Sequence, residues 1–155
     1  MASKLVLLGL LAFVNGCRET TTVPEAQDRP LQAGGAASGR EGIMEWKGQH
    51  CGVTQPASRA AKTPAEWTAL WAQIGQPAPT ELGERFAAAV FLGSRPTGGF
   101  GVRFREPSAE GGALKVRYEV LVPTGFVTQA FTEPYAVRLF PKTDLPVELV
   151  EAASP

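Results

Sequence analysis

Two short stretches hold residue types whose spacing could do chemistry. In "FLGSRPTGGFGVRF", residues 91–104, the step from Gly93 to Gly98 matches the first half of a phosphate-binding loop. Such a loop also needs Lys directly after the second Gly, then Ser or Thr for magnesium, and a helix whose N-terminus faces the anion. Here Gly99 and Phe100 follow Gly98, and the next segment alternates like a strand. The glycine spacing alone does not make a nucleotide site. The second stretch is "GQHCG", residues 48–52, where the chain's one His, His50, adjoins Cys51. A Cys–His dyad needs the imidazole held opposite the thiol, usually from a separate segment and with a third orienting group. Neighbours along a strand point to opposite faces, and a free Cys is more often a small buried hydrophobe. A zinc site would need a second His/Cys pair, which the sequence lacks. Glu84, Glu106, Glu110 and Glu133 fall in turns, and nothing pairs two of them as acid and base. The sequence therefore predicts no catalytic residue, no metal and no cofactor.

The N-terminus reads "MASKLVLLGLLAFVNGC". One cation, Lys4, precedes an apolar run from Leu5 to Val14. As a helix that run reaches only about 15 Å, against the roughly 30 Å of a bilayer core. It has the layout of an export signal. Val14-Asn15-Gly16-Cys17 resembles a lipobox, which implies cleavage before Cys17, acylation of its sulfur, and a membrane anchor. Ordinary cleavage near Gly16 is the other reading. Under lipidation Cys51 stands alone; under simple secretion a Cys17–Cys51 bridge is conceivable. The expected organisation is a signal peptide over 1–16, a tether over 17–42 and a folded domain over 43–151, with the protein on the outer side of a membrane in the cell envelope. The tether, "RETTTVPEAQDRPLQAGGAASGREG" from Arg18, has few large apolar residues to offset its ordering entropy. It would span roughly 25–30 Å as a coil. Lys+Arg and Asp+Glu balance at 15 each, so no basic face points to nucleic acid.

The elements that must position these residues begin at Ile43. "IMEWKG" (43–48) and "SRAAK" (58–62) read as short strands. "TPAEWTALWAQIG" (63–75) is the clearest helix: Thr63 as N-cap, Pro64 at the first position, and Glu66 closing a capping box. Trp67, Leu70, Trp71 and Ile74 fall on one face, and Gly75 ends the run. The Trp pair could form a stacking platform, but its helical core spacing favours packing.

Period two follows. "FAAAVFLG" (86–93) is apolar enough to be a central strand. In "FGVRF" (100–104), Phe100, Val102 and Phe104 share one face. "EPSAEGG" (106–112) reads as a turn. "ALKVRYEVLV" (113–122) directs Leu114, Val116, Tyr118, Val120 and Val122 inward, with Lys115, Arg117 and Glu119 outward. After the excursion "PTGFVTQAFTEP" (123–134), "YAVRLFP" (135–141) and "PVELVE" (146–151) are two more strands. The expected fold class is α+β, one amphipathic helix packed on a twisted antiparallel sheet of about five or six strands.

"VFLGSRPTGGFGVRF" (90–104) and "VPTGFVTQAFTEPYAVRLFPK" (122–142) resemble the C-terminal domain of the PrcB family. The paired-Trp helix and Glu84-Arg85-Phe86 suit the same pattern, and the resemblance spans about residues 45–151. Its most specific elements are Gly93 through Pro96-Thr97-Gly98-Gly99-Phe100, and Gln129, Thr132 and Pro134-Tyr135. The resemblance implies an exported lipoprotein that serves as a non-catalytic accessory subunit of a surface protease complex. On that reading the protein-binding residues are Arg95, Pro96, Thr97, Gly98, Gly99, Phe100 and Phe126, on two loops expected at one end of the sheet. "PTGG" also resembles the Thr/Gly-rich loop with which chagasin-type inhibitors enter cysteine-protease clefts, which gives an alternative reading as a protease inhibitor.

Overall fold

The computed structural model describes residues 43–153. The expected signal peptide, tether and acylation site at Cys17 lie outside those residues. The described chain forms β1 (Glu45–Gly48), β2 (Ala57–Ala61), α1 (Pro64–Ile74), β3 (Arg85–Phe91), β4 (Gly101–Phe104), β5 (Ser108–Glu110), β6 (Ala113–Leu121), β7 (Tyr135–Pro141) and β8 (Val147–Glu151). No helix among the described residues is long and apolar enough to cross a membrane.

These strands build two sheets, which corrects the expected single sheet under a helix. The first sheet runs β1-β7-β3-β2, all antiparallel. The second runs β4-β6-β5, with β8 joined to β6 in parallel. Among the described residues the fold is mostly β, with one short helix. The reason lies in β3 and β7, whose two faces are both buried. Ala87, Ala89, Phe91, Tyr135, Val137 and Leu139 face the core that holds the helix. Phe86, Ala88, Val90, Ala136 and Phe140 face a second core, closed by Val102, Phe104 and Val116. A strand such as Phe86-Ala-Ala-Ala-Val90 has no polar face to leave in water, so it needs a layer on each side.

The helix forms as its local signals dictate. Thr63 accepts from the Glu66 amide, the Glu66 carboxylate accepts from the Thr63 amide, and Gly75 closes the C-terminus at φ 78°. Its buried face is Trp67, Leu70, Trp71 and Ile74. Trp46 joins them, with ring centroids 5.8 Å from Trp67 and 5.6 Å from Trp71. The Trp side chains are thus core. Each contributes about 4–6 kcal/mol of burial at ~25 cal/mol/Å².

Three smaller expectations are also corrected. Residues 108–110 are a strand, because Gly111 and Gly112, both at positive φ, fold them back on β6 as a hairpin. Val122 lies beyond the end of β6 and is exposed. Glu119 does lie on the outer face of β6, yet it is only 5% exposed, because Arg103 and Arg105 both reach across to its carboxylate.

Candidate functional site

Strand direction brings three connections to one end of the domain. Phe91 at the end of β3 pairs with Tyr135 at the start of β7, and Gly48 at the end of β1 pairs with the same residue. Gly101 at the start of β4 faces Leu121 at the end of β6. The segments 49–56, 92–100 and 122–134 therefore leave the sheets together.

Hydrogen bonds lock them to each other. The Arg95 amide donates to the Thr132 carbonyl at 2.7 Å, and the Thr132 amide returns the bond to Arg95 at 2.9 Å. The Thr132 hydroxyl donates to the Thr97 carbonyl at 2.9 Å. The Gly98 amide donates to Thr128 at 3.0 Å. From the first segment, the Gln49 side-chain amide donates to the Phe100 carbonyl at 3.0 Å, while the Gln49 carbonyl accepts from Glu133. Ser94 donates to the Thr54 carbonyl.

Two glycines permit this closeness. Gly93 has φ 72°, and a Cβ there would come within 2.8 Å of Pro56 and 2.9 Å of the Thr54 carbonyl. Gly99 has φ 88°, with Pro123 2.9 Å from where its Cβ would stand. Both positions exclude any larger side chain.

The residues singled out in the sequence fall into two groups. Gly98 is buried, Thr97 is half-buried, and Phe100 is half-buried against the second core. Arg95 is half-buried with its guanidinium over the Phe100 ring, 5.3 Å from the centroid. Its Nε is buried without a hydrogen-bond partner. Pro96, Gly99 and Phe126 face solvent, and Phe126 is fully exposed. Phe131, at 73% exposure, belongs with Phe126 and was missed in the sequence. Its signal is a large aromatic inside the polar run Thr128-Gln129-Ala130-Phe131-Thr132, with no strand period to bury it.

His50 and Cys51 diverge. The His50 Nδ1 sits 3.7 Å from the Glu133 carboxylate with most of its ring in solvent. Cys51 is buried, and its thiol donates to the Glu133 carbonyl at 3.2 Å. Burial pushes that thiol up from its ordinary value, and the nearby Glu133 charge adds to the rise against a bond from Val53. A raised thiol pKa disfavours the thiolate that nucleophilic chemistry needs. No cluster of three His, Cys, Asp or Glu among the described residues is placed to hold a metal.

These residues define a rigid loop platform at one end of a two-sheet β-domain, with aromatic side chains presented above a hydrogen-bonded base. Residues 87–138, from β3 into β7, match the family model described as PrcB C-terminal. The matched stretch contains the segment that supplies both interlocked loops and leaves β1, β2, α1 and β8 outside it. No curated protein and no solved structure matches the chain.

Proposed function

We propose that this protein is an exported lipoprotein, anchored through Cys17, whose domain is a non-catalytic accessory subunit that binds a protein partner in a surface protease complex. The match to PrcB C-terminal, a family of accessory domains, supports the partner class. The observation that carries the binding reading is the loop pair itself. Solvent-exposed Phe126 and Phe131 stand on a loop whose backbone is bonded to a second loop at Arg95, Thr97 and Gly98. An exposed aromatic on an ordered base loses little entropy on association and is the type of residue that anchors interfaces. The lipobox supports the anchor, and the tether gives the domain its reach from the bilayer.

The inhibitor reading receives less support. A wedge for a protease cleft must project, whereas the Thr97 carbonyl and the Gly98 amide are both spent on the neighbouring loop. The direct experiment is crosslinking and capture from intact cells with the acylated protein. Phe126→Ala/Phe131→Ala should abolish capture of a protease-complex component with thermal stability unchanged. Capture that survives the double substitution overturns the loop surface, and nanomolar inhibition of a papain-type protease would install the inhibitor reading.

A further inference from the structure

The outer edge of β2 presents a second feature that the loop platform does not use. β2 is the last strand of its sheet, paired with β3 on one side only among the described residues. Sheet edges are usually guarded by charge. β1 carries the Lys47–Glu45 pair, β4 carries Arg103, and β8 carries Glu148 and Glu151. β2 reads Ala57-Ser58-Arg59-Ala60-Ala61, one charge among small side chains.

Both faces of β2 open into clefts. On the helix side, Arg59 and Ala61 border a cleft of about 340 Å³ with Glu66, Leu70 and Gln73. On the other side, Ser58 borders one of about 370 Å³ that runs between the two sheets, with Arg95, Tyr118 and Glu151. A strand added beside β2 would send successive side chains to opposite faces, and hence alternately into the two clefts.

The charges around this edge favour an acidic occupant. Arg59 and Arg95 have no carboxylate within ion-pair distance among the described residues, and Lys62 spends its ammonium on the Leu145 carbonyl. Of the two nearby acids, Glu66 is committed to the amides of Lys62 and Thr63. Glu151 remains on the far wall. Arg95, whose Nε is buried without an acceptor, is among the residues that line the cleft.

We propose that the open edge of β2 docks an extended, acidic peptide segment of the protein partner, with one carboxylate meeting Arg95 and neighbouring side chains filling the helix-side cleft. The proposal rests on the reading of the domain as a protein-binding module but uses a surface distinct from Phe126 and Phe131. Main-chain bonds to β2 would supply affinity, and the two clefts specificity.

The test is nitrogen-edited NMR on the folded chain, observing backbone amides and arginine Nε groups. The probes are acetyl-Thr-Val-Glu-Val-Thr-amide and its counterparts with Gln or Lys at the centre. The Glu peptide should shift the amides of residues 57–61 and the Arg95 Nε saturably. Binding should weaken about tenfold with the Gln peptide or in Arg95→Gln, the loss of one charge-assisted hydrogen bond. Arg103→Gln should leave it unchanged. Absence of a saturable shift in β2, or a Lys peptide that binds as well as the Glu peptide, overturns the proposal. Shifts confined to residues 122–131 overturn it too, while leaving the loop platform standing. Capture that survives Phe126→Ala/Phe131→Ala, with the β2 shifts intact, would count against the platform and not against this edge.

Discussion

Arg95 and Thr132 exchange both of their backbone hydrogen bonds, at 2.7 and 2.9 Å, although neither belongs to a strand of either sheet. This two-residue bridge turns two surface loops into one body, and the Thr132 hydroxyl extends it to Thr97. Thr132 is 4% exposed, so its hydroxyl has no water to fall back on. Thr132→Val keeps the shape and removes the donor, and should cost about 1 kcal/mol of stability. Phe126→Ala should leave the melting temperature unchanged yet weaken partner capture. Calorimetry beside a capture assay separates the two effects, and equal destabilisation by both variants would make Phe126 part of the packing.

The same region shows what was legible in the sequence and what was not. Pro96, Gly98 and Gly99 announced a loop, and the helix could be read from Thr63, Glu66 and Gly75, because capping and turn chemistry are local. The second sheet could not be read that way. A run like Phe86-Ala-Ala-Ala-Val90 declares burial but not which element covers each face, and β6 alternates identically whichever layer it meets. Glu119 was assigned to solvent because its burial depends on Arg103 and Arg105, one of them from another strand and one just beyond it. The parallel pairing of β8 with β6 is set by how the chain returns, which no residue between 142 and 146 encodes.

Gly93 and Gly52 offer a controlled comparison, since both hold positive φ, 72° and 71°. Gly52 has open space where a Cβ would go, whereas Gly93 faces Pro56 and the Thr54 carbonyl inside 3 Å. Gly52→Ala should cost about 1–2 kcal/mol, the backbone penalty alone. Gly93→Ala adds a clash that the segment 54–56 must absorb, and should cost at least about 2 kcal/mol more. Urea unfolding of the two variants measures the difference, and equal costs would mean that the two loops separate easily.

Helix α1 should report on acid. The amides of Lys62 and Thr63, with the Thr63 hydroxyl, hold the Glu66 carboxyl below its ordinary range. A carboxylate whose pKa is depressed in the folded state stabilises the fold above its unfolded value, near about 4.3. That stabilisation disappears as pH falls through the lower folded value. Glu66→Gln keeps an acceptor without the titration. The variant should lose less stability than the parent between neutral pH and about pH 3, read from urea midpoints. Parallel curves would remove Glu66 from the acid response and leave Glu110, held down by Arg117 and Ser108, as the group to vary next.

Arg138 is a buried charge between the sheets, 7% exposed, on β7, one of the two inner strands of the first sheet. Its guanidinium lies over Phe140 at 4.8 Å and bonds Glu106 at 2.6 Å, while its Nε has no partner. Arg138→Ala should cost about 2–4 kcal/mol because it empties space between the sheets. Arg138→Met fills most of that space and removes the desolvated charge, and should lie within about 1 kcal/mol of the parent. If Met proves as costly as Ala, the ion pair rather than the side-chain volume holds the sheets together.

Cys51 provides the test most damaging to a non-catalytic reading. Its thiol is buried, bonded to the Glu133 carbonyl, and pushed above its ordinary pKa by desolvation. In a Cys17→Ser chain, where it is the remaining cysteine, alkylation by iodoacetamide at neutral pH must await local opening. It should be at least about tenfold slower than after unfolding in urea. Its native rate should also be insensitive to His50→Ala, because His50 is turned out to solvent beside Glu133. A native thiol that reacts as fast as a free one, and slows when His50 is removed, would show an activated dyad and overturn the non-catalytic reading.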